Sequence, residues 1–142
     1  MFIGEYSHAI DEKGRVAVPA KFRTLLRGGA VVTKGLDNCL VVYPKKEWTK
    51  LAEKISALPF NKQNDRSLAR FILAGAADVD FDGQGRVTLP EHLRDFAKLS
   101  KRAVVAGLYS RLEIWNEDAW NAFKAVTEKQ SNEIAEALGE IN

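Results

Sequence analysis

The feature that most constrains this chain is that one pattern occurs in it twice. Asp11-Glu12-Lys13-Gly14-Arg15-Val16-Ala17-Val18-Pro19-Ala20-Lys21-Phe22-Arg23 returns as Asp82-Gly83-Gln84-Gly85-Arg86-Val87-Thr88-Leu89-Pro90-Glu91-His92-Leu93-Arg94, offset by 71 residues. Asp, Gly, the first Arg, Val, Pro and the final Arg coincide. With one residue dropped the register continues, Gly35-Leu36 onto Gly107-Leu108, Leu40 onto Leu112, Val42 onto Ile114, Tyr43 onto Trp115 and Trp48 onto Trp120. In 142 residues there is room for one ordinary domain or for two small halves that share a core. The repeat selects the second arrangement: a first half over 1–60, a linker and bridging helix over 61–75, a second half over 76–130 and a polar tail over 131–142.

Each half carries the same punctuation. Tyr6 to Ile10 and Ala77 to Phe81 read as short strands, followed after a three-residue loop by Arg15 to Val18 and Arg86 to Leu89. The pattern predicts a hairpin in each half. The last loop position of such a hairpin takes the left-handed conformation, which glycine reaches without steric cost, and Gly14 and Gly85 stand there. Pro19 and Pro90 fit the first turn of short helices over about 20–26 and 91–98. A second hairpin follows in each half, Ala30 to Thr33 with Cys39 to Tyr43, then Ala103 to Gly107 with Leu112 to Trp115. A longer helix closes each half. The first starts at Pro44 and aligns Trp48, Leu51, Ala52, Ile55 and Leu58 on one face; the second starts at Asn116, an N-cap followed by Glu117 and Asp118. Asn61 to Asn64 reads as a polar linker, Asp65 or a neighbour as the cap of a bridging helix to Gly75, and the tail beyond Gln130 as frayed. The fold class is α+β.

Composition excludes several functions. No apolar run approaches the roughly 18 residues of a membrane span, and the opening lacks the basic and apolar regions of a signal peptide, so a cytoplasmic protein without a membrane partner is expected. A single cysteine, Cys39, with only His8 and His92, assembles neither an internal disulfide nor a zinc cluster of the usual spacing. The net charge of +2 conceals an asymmetry. Residues 12–34 hold Lys13, Arg15, Lys21, Arg23, Arg27 and Lys34 against Glu12 alone, whereas residues 113–142 hold seven acids against Lys124 and Lys129. A basic pole of this kind suits a polyanion.

The strongest candidate site is the repeated Asp-x-x-x-Arg, Asp11 with Arg15 and Asp82 with Arg86. Across a tight loop the carboxylate can hold the guanidinium in one orientation, and a pinned guanidinium suits phosphate oxygens or the N7/O6 edge of guanine. The alternative stays open that Asp caps the turn and Arg only pairs with it. Asp78-Val79-Asp80-Phe81-Asp82-Gly83 opens like a calcium loop, but Leu89 stands where a bidentate Glu belongs. Gly83-Gln84-Gly85 opens a dinucleotide fingerprint whose last glycine falls on Thr88. No nucleophile has a base at partner spacing, so neither catalysis nor a cofactor is expected. Trp48, Trp115 and Trp120 fall on core-facing periodicities and read as scaffold.

The opening Met1-Phe2-Ile3-Gly4-Glu5-Tyr6, the duplicated Asp-x-x-Gly-Arg with Pro four residues later, Gly35-Leu36-Asp37 before Cys39-Leu40, Tyr43-Pro44 with Trp48, and Glu113-Ile114-Trp115 with Trp120 resemble the MraZ family. This family comprises bacterial transcription regulators related to AbrB-type swapped-hairpin proteins, and the similarity covers residues 1–126. It implies tandem AbrB-like halves forming a small β-barrel with flanking helices. It also implies ring-shaped homo-oligomers, octameric or dodecameric, and a nucleoid-associated protein that binds promoter double-stranded DNA; the avidity of such a ring predicts that the promoter carries direct repeats. On this resemblance Asp11, Lys13 and Arg15 of the first loop and Asp82, Gln84 and Arg86 of the second are the DNA-contacting residues. Gln84 carries no charge where Lys13 does, so the two loops need not contact DNA equally. The resulting expectation is a sequence-specific regulator, a repressor of its own division and cell-wall operon. An AbrB-like antitoxin module and a ring-forming structural protein that binds no DNA are the alternatives.

Overall fold

The computed structural model describes residues 1–139. Its strands are β1 (Phe2–Ala9), β2 (Arg15–Ala17), β3 (Ala30–Lys34), β4 (Leu40–Pro44), β5 (Ala77–Val79), β6 (Arg86–Thr88), β7 (Arg102–Tyr109) and β8 (Leu112–Asn116). The helices are α1 (Ala20–Leu25), α2 (Lys45–Ser56), α3 (Gln63–Ala69), α4 (Glu91–Phe96), α5 (Glu117–Lys129) and α6 (Ser131–Leu138), with a π-helical turn over Arg70–Ala74. Six strands form an antiparallel sheet in the order β1-β7-β8-β4-β3-β5, and β2 pairs with β6 as a separate ribbon. Single bridges Ile10↔Val16 and Phe81↔Val87 join that ribbon to the two sheet edges, so the ladder returns to its start. The mixed α+β class is present, and so is the small barrel that the family resemblance implies, closed through these two single bridges.

Strand partners come mostly from the opposite half. β1 of the first half lies on β7 of the second from Phe2↔Tyr109 to Ala9↔Arg102, and β5 of the second lies on β3 of the first. The pairing scheme is unchanged when β1 to β4 are exchanged with β5 to β8, which is the internal symmetry a duplication demands. Here the hairpin expectation needs correction. The loops 11–15 and 82–86 close as predicted, but beyond one bridge each, β2 leaves β1 and pairs with β6. Val16 and Val87, paired opposite each other and buried, are the reason: the swapped ribbon puts both under the barrel.

Burial explains the near-continuous apolar runs in β3, β4, β7 and β8. Inward positions such as Val32, Leu40, Val42, Val105, Leu112 and Ile114 join Phe22, Leu89 and Leu93 in one core. Outward positions Cys39, Val41, Val104 and Trp115 form a second cluster with Tyr43 and Trp120. Strands covered on both faces lose the alternating pattern of a half-solvated sheet. Trp115 meets Trp120 and Phe123 at ring distances of 5.5 and 5.3 Å, so these tryptophans are scaffold. In the core, Phe22 of α1 meets Phe2 and Tyr6 edge-on at 5.4 and 5.5 Å.

Several boundaries move. β1 begins at Phe2, because the long β7 strand offers partners to its whole length. Pro19, Pro44 and Pro90 sit one position earlier than expected, as N-caps with extended ψ. Asn116 caps α5 as predicted, accepting from the Ala119 amide at 3.0 Å. Asn64 and Gln63 are helical rather than linker, and Asp65 lies inside the first turn of α3 while Lys62 holds the cap position. Most of the tail is not frayed: Ser131–Leu138 is helical and ends at Gly139 with φ 68°, while residues 140–142 lie outside the described residues.

Candidate nucleic-acid interface

The two predicted loops are built by local hydrogen bonds and then brought together by the swapped ribbon. Asp11 Oδ1 accepts from the amides of Lys13 and Arg15 at 3.0 and 2.8 Å, and its Oδ2 accepts from Arg15 Nε. Asp82 repeats this with the amides of Gln84 and Arg86 at 2.9 and 3.0 Å, and with Arg86 Nε at 2.8 Å. The Arg15 amide, more than any other group, holds the Asp11 carboxyl below the ordinary aspartate range, aided by the Arg15 guanidinium and the Lys13 amide against partial desolvation. For Asp82 the Arg86 amide plays the same leading part, followed by the Gln84 amide and the Arg86 guanidinium. Both carboxylates therefore stay ionised at neutral pH and aim a guanidinium through its Nε. Gly14 and Gly85 complete the turns at φ 78° and 75°.

Side chains alternate across a ribbon, so with Val16 and Val87 inward, Arg15, Ala17, Arg86 and Thr88 share the outer face. Arg15 stands opposite Thr88 and Ala17 opposite Arg86, which places the two arginines diagonally. Arg86 Nη1 lies 3.7 Å from Asp11 Oδ2, so the loops share one charge cluster. Each arginine side chain remains about 30% exposed, and among the described residues the Nη atoms of Arg15 donate to no protein group. Lys13 and Gln84 sit at the loop tips, engaged through their backbones while their side chains face solvent. All six predicted residues thus lie on the two tips and the ribbon between them.

Two residues given no role by the sequence reading belong to this surface. Arg23 of α1 donates to the Val18 carbonyl at 2.6 Å and covers Gly85, the loop of the other half. Arg94 of α4 donates to the Leu89 carbonyl at 3.0 Å and covers Gly14. A Cβ on either glycine would fall within 2.5 Å of the guanidinium. Backbone bonds reinforce the exchange, from the Val18 amide to the Gly85 carbonyl at 3.2 Å and from the Leu89 amide to the Gly14 carbonyl at 2.9 Å. The signal for these arginines was in the sequence, as the last coincident position of the repeat. What hid their role is that each acts on the loop 71 residues away in register rather than on its own.

The arrangement is a two-stranded ribbon with an arginine-bearing outer face, stiffened by carboxylates and glycine turns. Among the described residues no helix is long and apolar enough to cross a membrane.

Comparison with known proteins gives the lineage. The family described as "MraZ protein, putative antitoxin-like" matches residues 1–71 and again 72–140, one match per half. The chain is 51% identical over 138 residues to Transcriptional regulator MraZ of Carboxydothermus hydrogenoformans, covering 97% of this chain and 96% of that protein. It is 44% identical to the protein of the same name from Halothermothrix orenii, covering 99% of both, and 48% identical to that of Pediococcus pentosaceus, covering 97% and 96%. Two family matches that tile the repeat, with relatives alike over their whole length, show that the chain belongs to the MraZ family, a family of transcriptional regulators and not of enzymes.

Proposed function

We propose that this protein binds double-stranded promoter DNA sequence-specifically through the β2–β6 ribbon and its two loops, and represses its own operon. The observation that carries the reading is the diagonal pair Arg15 and Arg86 on one ribbon face, each held by a carboxylate through Nε and each only partly buried. A two-stranded ribbon fits the major groove, where a guanidinium can take guanine O6 and N7 together. Lys13 supplies a phosphate contact at one tip, and Gln84 a neutral hydrogen-bonding group at the other. Arg23 and Arg94 hold the loops and add positive potential beside them.

One ribbon touches few base pairs, too few for a firm specific complex. The reading therefore includes self-association into a ring, octameric or dodecameric, whose ribbons meet direct repeats and convert weak contacts into intramolecular ones. Such a protein acts in the cytoplasm, on the nucleoid, without a cofactor. A mobility-shift titration against DNA upstream of its own gene, with nonspecific competitor, tests the reading. Repeat-dependent retention that disappears in the Arg15→Ala/Arg86→Ala protein is expected; unchanged retention leaves these arginines as internal partners of Asp11 and Asp82.

A further inference from the structure

We propose that Arg27, in the turn that ends α1, contacts a phosphate of the bound DNA beside the second loop and supplies there what Lys13 supplies at the first. The proposal rests on the DNA-binding reading and deepens it, by assigning the backbone contact at the tip that carries no cation of its own.

The place is an open cleft of about 670 Å³ between α1 and the loop 82–86. Arg23, Thr24 and Arg27 line one wall, and Gly83 and Gln84 the other. Phe22 and Leu26 turn away from the cleft and are buried in the core, so the three polar residues share one face. Arg23 is committed to the Val18 carbonyl. Arg27 is exposed, and among the described residues it has no ion-pair partner. Two acids also line the cleft. Asp82 is engaged by the Gln84 and Arg86 amides and by the Arg86 guanidinium, which leaves Asp80 as the one charge opposing an anion, against two arginines. Gly83 is the informative member. Its φ is not positive and a Cβ there would meet open space, so nothing within the chain requires glycine at this tip. A bare tip lets a polymer backbone pass close. The matching residue of the first loop is Glu12, whose carboxylate repels phosphate.

The two halves place their positive charge differently. Residues 20–27 hold Lys21, Arg23 and Arg27 and no acid, whereas the matching residues 91–98 hold Arg94 and Lys98 against Glu91 and Asp95. At the tips the order reverses, with Lys13 on the first loop and Gln84 on the second. Because the loops are exchanged, the acid-free helix lies beside the uncharged tip: Arg23 of α1 covers Gly85, and Arg94 of α4 covers Gly14. Each tip therefore has a cation within reach, on the loop itself at one end of the ribbon and on the neighbouring helix at the other. A duplex crossing the outer face of the ribbon meets both tips, and phosphate contacts of this kind fix its register without reading its sequence.

The test titrates the full chain with DNA from upstream of its own gene and with an unrelated duplex, over a range of salt concentrations. Arg27→Ala is expected to weaken both complexes alike and to lower the salt slope by about one; Arg27→Lys keeps the slope, because a phosphate asks only for a point charge. Lys98→Ala, at the equivalent position of the other half, leaves it unchanged. Adding Gln84→Lys to Arg27→Ala restores the wild-type slope by returning a cation to the tip. Gly83→Glu, which gives the second loop the residue of the first, weakens both complexes with an unchanged urea midpoint. A wild-type slope in Arg27→Ala overturns the contact while leaving DNA binding by the ribbon standing, and so does an equal loss of slope in Lys98→Ala. Failure of Gln84→Lys to restore the slope, or wild-type binding in Gly83→Glu, overturns the placement of the contact at this tip. A loss in Arg27→Ala confined to the upstream DNA makes Arg27 a base reader and overturns the phosphate assignment. A wild-type chain that binds neither duplex overturns this contact and the DNA-binding reading together.

Discussion

Asp11 and Asp82 receive the same three hydrogen bonds, yet the strands leading into them differ, eight residues in Phe2–Ala9 against three in Ala77–Val79. The loops are alike because they are local. The carboxylate hydrogen bonds that close each turn lie within five consecutive residues, so a repeated sequence repeats the geometry. The strands differ because their length depends on what precedes them: β1 runs free along β7, whereas β5 emerges from the π-helical turn at Arg70–Ala74. Duplication has preserved the part that presents arginine and let the supporting part diverge.

The largest expected contrast lies in the core beneath the loops. Phe22 and Leu93 occupy equivalent positions and are both fully buried. Phe22→Ala removes the ring between Phe2 and Tyr6 and is expected to cost about 3–5 kcal/mol, with Leu93→Ala at about 2–5 kcal/mol, measured by urea unfolding. Equal costs would show that the edge-on contacts of Phe22 with Phe2 and Tyr6 add nothing beyond what the aliphatic Leu93 supplies at the equivalent position. Next come the arginines. Arg15→Ala and Arg86→Ala are each expected to weaken operator binding by about 1–3 kcal/mol; Arg86 also approaches Asp11, so the smaller loss is expected there.

Gly14→Ala and Gly85→Ala are expected to cost about 1–2 kcal/mol of stability for the positive φ. Each also displaces the arginine of the opposite half, so Gly14→Ala combined with Arg94→Ala should cost less than the sum of the two. Additivity in that cycle would remove Arg94 from the loop it covers. A smaller effect separates the tips: Lys13→Gln lowers the salt slope of DNA binding by about one and Gln84→Lys raises it by about one. A changed slope in one variant alone would mean that only one tip reaches phosphate, and equal slopes in the two that neither does.

The smallest effect concerns pH, where the loops should behave alike. Both Asp carboxyls are held below their ordinary value of 3.8 in the folded chain. Their stabilisation is complete above that value and is lost as pH falls through the lower folded one. Asp11→Asn and Asp82→Asn should each flatten the acid limb of the urea midpoint between about pH 5 and pH 2 to a similar degree. A change in one variant alone would show that the carboxylates are not equivalent.

Much of this molecule is fixed by the sequence. The 71-residue offset, the Asp and Gly of each loop, the prolines before α1, α2 and α4 and the Asn116 cap are short-range signals, each acting within a few residues, and they locate the elements and the six candidate site residues. Helix α6 escaped such reading because its apolar positions Ile134 and Leu138 are few and neither is buried. Only the tertiary structure decided that β2 pairs with β6 instead of with β1, that Arg23 and Arg94 guard each other's loops, and that Arg15 and Arg86 share one face. A local hairpin and a swapped one satisfy the same loop residues, and the choice between them rests on burying Val16 against Val87 in a core that neither half can complete alone.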